Sequence, residues 1–326
     1  MNIKFQLLVI LLLVQPAARA EIPLDTLTLI QALKLDNTLE IEPSGLASCD
    51  DQLLMVSDKH DQLIYSLDVQ NDKAHIRAFR NLDKLPANPY NTIPWTQKIK
   101  LWLINTITGN YLDWEGITCD DSNNLYLLSE STVSVLKISP DGELSWLNNS
   151  LYDEGSAAGV FLKTYGEGLT WSHDNQIFIA AERQPRGLIQ TTLLNGELIT
   201  QRIAVLDNTS LPQPTEHQRA TDFTGLMMVH NHLFTLERNH SALCQRTIPS
   251  FEATHCWSYA HIENAPEFRY EDNQYGLAEG MVLHQNKLYL VFDNNQQKNT
   301  ANADNSPLLL EFMVPGSFYT TPSNTN

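Results

Sequence analysis

Basic residues are scarce in this chain. Its 326 residues carry 21 Lys and Arg against 38 Asp and Glu, a formal net charge of −17. That deficit excludes a nucleic-acid face, because phosphate contacts need clustered Lys and Arg. Several motifs are missing too: the P-loop, the dinucleotide glycine fingerprint, the H-E-x-x-H helix, the G-x-S-x-G elbow and the R-H-G-x-R-x-P signature of histidine acid phytases. None of those motif-borne chemistries is therefore legible. The 14 Gly and 15 Pro form no biased tract, which excludes collagenous and coiled-coil classes. Cysteines number four, in no zinc-site spacing. Beyond residue 20 no apolar run approaches the ~20 residues that span a bilayer.

What is present starts at the amino terminus. Lys4, the apolar run 7–14 and Ala18-Arg19-Ala20 read as a signal peptide, residues 1–20, with an A-x-A cleavage site. Its removal takes Lys4 and Arg19 but no acid, deepening the charge to −19. A secreted or periplasmic monomer with no transmembrane anchor after processing is expected. An oxidising compartment makes disulfides available. Cys244 and Cys256 flank a hairpin, and a local cross-strand bridge is the favoured pairing. Cys49 and Cys119 hold matching places in two repeats, and their pairing stays open because a bridge needs Cα atoms within ~7 Å.

The chain repeats itself five times. Ser44-Gly45-Leu46-Ala47 leads to a second apolar run ending at Asp58. Glu115-Gly116-Ile117-Thr118 leads to one ending at Glu130. Glu167-Gly168-Leu169-Thr170 leads to Glu182, Thr224-Gly225-Leu226-Met227 to Glu237, and Glu279-Gly280-Met281-Val282 to Asp293. Each copy is a polar residue, Gly, a short strand, a polar turn, a second strand and an acid. The glycine intervals of 71, 52, 57 and 55 suit four-stranded blades. The expected fold is all-β: a single β-propeller over residues 21–316, with five blades and six as the alternative. The fifth copy has one strand left, residues 308–314, and 27–35 would pair with it to close the ring without a free edge. Residues 84–112 form an insertion, with Trp95, Ile99, Trp102 and Leu103 near helical spacing, either packed on the side or lying over one face as a lid. Residues 317–326 read as a flexible tail.

Hairpin geometry places the acids. The residue before each Gly and the acid after the second strand lie at one end of an antiparallel pair. Eight carboxylates therefore share one mouth of the ring, where mutual repulsion calls for a cation or basic neighbours. Lys59, Arg183 and Arg238 each follow one of these acids. An oxygen-only donor set favours Ca²⁺ or another hard divalent cation over zinc. The alternative is a solvated rim of salt bridges. The N-x-[ST] sequons at Asn148, Asn208 and Asn239 matter only where exported proteins are glycosylated.

Pro43-Ser44-Gly45-Leu46, Asp113-Trp114-Glu115-Gly116-Ile117, Glu182-Arg183-Gln184-Pro185 and Asp293-Asn294-Asn295 together resemble the phytase-like (esterase-like activity of phytase) family. They are similar also to the related SdiA-regulated propeller family. The resemblance spans about residues 40 to 313 and implies an exported propeller whose repeated acids hydrolyse a phosphoester. Ser44 and Thr224 depart from the pattern, so a mechanism needing all five pre-glycine acids is excluded. The expected site has Glu115, Glu167 and Glu279 on the metal. Glu130, Glu182, Glu237 and Asp293 are candidates for acid–base catalysis, and Arg183, Arg238, Asn294 and Asp58 for binding a small anionic ligand or phosphoester. A non-catalytic, ligand- or protein-binding propeller of the cell envelope is the competing reading.

Overall fold

A computed structural model describes residues 22–35, 41–70, 72–82, 84–86, 95, 99, 112–132, 134–149, 166–182, 185–206, 221–271 and 276–319. The amino-terminal segment gives β1 (Leu24–Thr26) and β2 (Leu29–Leu35). The first repeat folds as β3 (Pro43–Cys49), β4 (Gln52–Ser57), β5 (Leu63–Gln70) and β6 (Lys73–Asn81). The second gives β7 (Trp114–Cys119), β8 (Leu125–Ser129), β9 (Ser134–Ile138) and β10 (Leu144–Trp146), followed by the short β11 (Asn148–Asn149). The third gives β12 (Gly166–Ser172), β13 (Gln176–Ala181), β14 (Gly187–Leu194) and β15 (Glu197–Val205). The fourth gives β16 (Gly225–Val229), β17 (His232–Glu237), β18 (Ala242–Arg246) and β19 (Ala253–Ser258). The fifth gives β20 (Ala278–His284), β21 (Lys287–Phe292) and β22 (Leu308–Met313). Each repeat is an antiparallel sheet with its glycine-led strand innermost.

The ring is visible in its packing. Inner strands β3, β7, β12, β16 and β20 touch in that cyclic order, with β20 against β3. Glycines set the distance of approach. A Cβ on Gly116 would stand 2.9 Å from Leu169 N, and one on Gly168 would stand 2.9 Å from Gly225 Cα. Any larger residue would push neighbouring inner strands apart. Although 71 residues separate Gly45 and Gly116, a Cβ on Gly45 would lie 3.2 Å from Gly116 Cα.

Both faces of each inner hairpin are buried, so the second strands read as continuous apolar runs. In β4, Leu54 and Val56 pack with Trp114, Ile117 and Leu127 of the second repeat. Leu53 and Met55 of the same strand pack with Val282, Tyr289 and Leu309 of the fifth. The period-two alternation thus feeds two cores from one strand. Five cores result, one at each joint of the cycle. Full burial of each such side chain contributes about 1.5–3 kcal/mol before entropy is subtracted.

Closure uses the amino-terminal segment. Strand β2 pairs antiparallel with β22 and also parallel with β6, through Lys34↔Lys73 and Leu35↔Ala74. The fifth and first sheets so become one eight-stranded sheet. β1 adds a parallel edge to β19, and β11 does the same for β15. Both disulfides form. Cys244–Cys256 joins opposed residues of β18 and β19, and Cys49–Cys119 joins the far ends of β3 and β7 with Cα atoms 6.0 Å apart. Two disulfides suit an oxidising, extracellular environment. No helix among the described residues is long and apolar enough to cross a membrane.

Two expectations need adjusting. The tail reading starts too early: Gly316–Tyr319 form a 3₁₀ turn, and Phe318 is buried against Phe234 and Trp257 at ring distances of 4.7 and 4.6 Å. A large aromatic beside an apolar groove docks rather than frays. Asn239 is a poor glycan acceptor, since it is buried with its amide on Asp222 at 2.8 Å. Most of the 84–112 insertion lies outside the described residues, as do 1–20; of its helical residues Trp95 and Ile99 are described, and both are exposed.

Candidate functional site

The residue before each glycine is held by an irregularity. In the first, second, third and fifth repeats a bulge leaves Ser44, Glu115, Glu167 or Glu279 as the extra residue opposite the second strand. Bulges re-aim a side chain and recur beside active sites. The acid that ends the second strand returns to the same end. Glu130 N donates to Asp113 O at 2.8 Å, and Asp293 N to Leu277 O at 2.8 Å.

At the joint between the first and second repeats one carboxyl oxygen each of Asp58, Asp113 and Glu115 lie within 4.8 Å of one another. Asp113 has a left-handed φ of 59°. Its neighbours fix it there, since Leu112 N and Trp114 Nε1 donate to the Asp61 carboxylate and carbonyl at 2.9 and 2.7 Å. One Asp58 oxygen is buried with no hydrogen-bond partner among the described residues. Burial, then Glu42 and Asp293, push Asp58 up to about 8. Burial and the Glu167 and Asp113 charges hold Glu115 well above the usual carboxylate range. Desolvation of the half-buried Glu130 and its hydrogen bond to Asp113 push it to about 11. Desolvation dominates in each case, and like charges add to it.

The opposite sector is organised around one arginine. Arg238 donates to Glu182 at 2.9 Å, Asp222 at 2.9 Å and Glu279 at 2.5 Å, drawing together the third, fourth and fifth repeats. Asp222 is fully buried and also receives the Asn239 backbone N–H at 2.9 Å, which locks the turn carrying Arg238. Gly276 packs on this turn, where a Cβ would stand 2.4 Å from Arg238 O. Burial still lifts Glu279 to about 8 and Asp293 to about 7. Burial, with the Glu182 charge next, holds Glu167 well above its ordinary value. Lys59 pairs with Glu42 at 2.7 Å, beside Asp58 and Asp293.

Several expected roles do not fit this geometry. Glu237 is fully buried and bound by Arg186, by Arg246 at 2.6 Å and by the Thr235 hydroxyl at 2.9 Å. Those arginines hold its carboxyl below the ordinary range despite burial, so it is an ionised strut and not a base for a substrate. Arg238 is committed to three carboxylates instead of an incoming anion. Glu279 belongs to that cluster rather than to the Asp58–Asp113–Glu115 trio. Asn294 is buried with its amide on Gln297 O and Asn305 O at 3.1 and 2.8 Å, so it fastens a loop. Arg183 lies outside the described residues.

The motif reading missed Glu42, Asp113 and Asp222. A signal existed, because all three stand three places before the repeat glycine. Two of them fall in the repeats whose pre-glycine acid is replaced. There the substitutes serve the ring: Ser44 Oγ donates to Trp114 O, and Thr224 Oγ1 to Ala278 O at 2.8 Å.

Residues 43–255 match the family model described as phytase-like, esterase-like activity of phytase. No curated protein matches the chain in sequence. Among solved structures, glutaminyl cyclase from Myxococcus xanthus is similar, with TM-score 0.55 and 9% identity over 90% of this chain and 97% of that one. PQQ-bound aldose sugar dehydrogenase from Streptomyces coelicolor gives 0.45 and 12% identity, covering 89% and 98%. A gluconolactonase from Xanthomonas campestris gives 0.42 and 11%, covering 92% and 99%. At such identities the likeness to the cyclase speaks for the fold alone.

Proposed function

The chain belongs to the phytase-like (esterase-like activity of phytase) family, and on that premise we propose that its acidic mouth hydrolyses phosphoesters or related esters with a hard divalent cation. The observation that carries this reading is the trio Asp58, Asp113 and Glu115, with ligand oxygens mutually within 4.8 Å. Three carboxylates and one unpartnered buried oxygen fit Ca²⁺ or Mg²⁺ by donor chemistry. When bound, such a cation polarises the ester oxygen and offsets the substrate's negative charge.

The chain's own groups flank the trio. Glu130 shares a hydrogen bond with Asp113 and carries its proton at neutral pH, which suits donation to a leaving group. Asp293, at about 7, sits near Asp58 on the other side and can take a proton from water. Arg238 holds Glu182 and Glu279 in place and so shapes the third-to-fifth side of the mouth. Export to an oxidising compartment belongs to the same proposal.

The test is turnover of generic phosphoesters by purified protein with Ca²⁺, with Mg²⁺ and after chelation. Chelator-sensitive turnover that falls about 10²-fold or more in Asp113→Asn is expected. Turnover indifferent to both would sink the reading. Cation-dependent stabilisation without turnover on any ester would favour the binding propeller, a reading supported by the engagement of Arg238 and Lys59 in ion pairs.

A further inference from the structure

The far end of the ring carries a different chemistry. Ser44 and Glu279 open β3 and β20 at the acidic mouth, whereas Ser48 and His284 lie at the other ends of the same two strands. Each stands beside a two-residue hairpin turn: Asp50-Asp51 closes on the pair Cys49↔Gln52, and Gln285-Asn286 on His284↔Lys287. All four turn residues have left-handed φ, between 49° and 59°. These tight turns hold both side chains on rigid strand ends across the joint between the first and fifth repeats. There Ser48 Oγ and His284 Nδ1 are 2.8 Å apart. Both residues are half-buried, so the pair is reachable.

Other ties at this end are of another kind. Thr118 and Thr170 hydroxyls accept the Trp171 and Met228 backbone N–H groups at 3.2 and 3.0 Å, and Cys49–Cys119 closes a third joint covalently. Here a hydroxyl meets a base instead. Burial lowers the His284 pKa and keeps the imidazole neutral, while the Asp51 charge opposes that shift from the neighbouring turn. A neutral imidazole within hydrogen-bond reach of a hydroxyl, with a carboxylate near by, is the arrangement that activates serine.

We propose that Ser48 and His284 form a second, nucleophilic site opposite the acidic mouth, taking small activated carboxylic esters. With the ring proton on Nε2, Nδ1 accepts the Ser48 proton as Oγ adds to the ester carbonyl carbon. The carbon–oxygen bond to the alcohol breaks, and the departing alkoxide takes that proton from His284. Water then adds to the acyl-serine, His284 accepts its proton and returns it to Ser48 Oγ, and the carboxylic acid leaves. No cation enters these steps, so this site is independent of the proposed function.

The experiment treats purified protein with a fluorophosphonate probe and with p-nitrophenyl acetate, and maps the adduct by mass spectrometry. Expected is one adduct on the peptide bearing Ser48, lost in Ser48→Ala and slowed about 10²-fold or more in His284→Asn. The asparagine retains a hydrogen-bond partner for Ser48 but no base, so an unchanged melting temperature with lost labelling separates chemistry from strut. Labelling of Ser48 should persist after chelation. No adduct on Ser48, or equal labelling in His284→Asn, would overturn the proposal.

Discussion

Glu130 and Glu237 end the second strand of equivalent hairpins, in the second and fourth repeats, and the ring treats them oppositely. Burial raises the pKa of both. Around Glu130 the next contributions come from Asp113, Glu167 and Glu182, and its proton stays on to about 11. Around Glu237 they come from Arg186 and Arg246, and the carboxyl is held below its ordinary range. The two arginines also stack on Phe223, with guanidinium carbons 4.5 and 5.0 Å from its ring centre. Repeat position thus decides where an acid is delivered, and the adjoining strands decide whether it is a strut or a reactive group. A carboxylate survives burial only where paired charges outweigh a desolvation cost of several kcal/mol.

The sharpest way to break this comparison is Glu237→Ala. It leaves Arg186 and Arg246, both buried, without their shared carboxylate. Breaking a buried pair costs about 3–5 kcal/mol, so urea denaturation should show a loss of that size. A loss under about 1 kcal/mol would mean that the arginines reach water and the cluster is no strut. The cation effect comes next. Ca²⁺ at a hundredfold excess over its Kd should stabilise the protein by about 2.7 kcal/mol. Asp113→Asn should lose that response in a melting titration, and Glu237→Gln should keep it.

pH separates the regions by sign. Asp58, Glu279 and Asp293 titrate at about 8, 8 and 7 in the fold and near 4 when unfolded. Between those limits the folded state holds more protons, so stability present below about pH 4 is lost as pH rises toward 8. Glu237 works the other way: its depressed pKa gives stability above the unfolded value that is lost as pH falls through the folded one. Melting temperature should therefore decline from about pH 5 to pH 8, and saturating Ca²⁺ should flatten the decline by favouring the ionised carboxylates. A rise over that range without Ca²⁺ would refute the desolvated mouth.

The hairpins were legible because each is local: glycine, turn residues and two apolar runs lie within about 20 residues, where period and turn chemistry are sufficient. Closure by residues 27–35 could be read because the fifth repeat was one strand short. The parallel pairings of β1 and β11 were not, since strands of three and two residues carry no period of their own. The site divides likewise. Glu115, Glu130 and Asp58 were found through the repeat, and Asp113 lay inside a quoted motif without a role. What sequence could not supply was the identity of cross-blade neighbours. Arg186 lies 51 residues from Glu237, and Arg238 lies 56 from Glu182 and 41 from Glu279. Acid positions follow from the repeat, whereas charge states follow from contacts between repeats.

The smallest expected effect is the most discriminating. Glu130→Gln replaces a carboxyl that already carries a proton with an amide of nearly the same shape. Its N–H can still donate to Asp113, so no charge is removed and no partner is orphaned. Stability should stay within about 0.5 kcal/mol of the parent near pH 7, as for substitutions without a named destabilising mechanism. The same change at Glu237 removes a charge that two arginines need, and should cost several times more. Activity should rank the pair in reverse: Glu130→Gln can no longer pass a proton to a leaving group and loses about 10²-fold or more in turnover, while Glu237→Gln retains turnover in its folded fraction. If Glu130→Gln instead destabilises strongly at pH 7 but little at pH 4, Glu130 is ionised in the fold, and the two strand-end acids differ in location only.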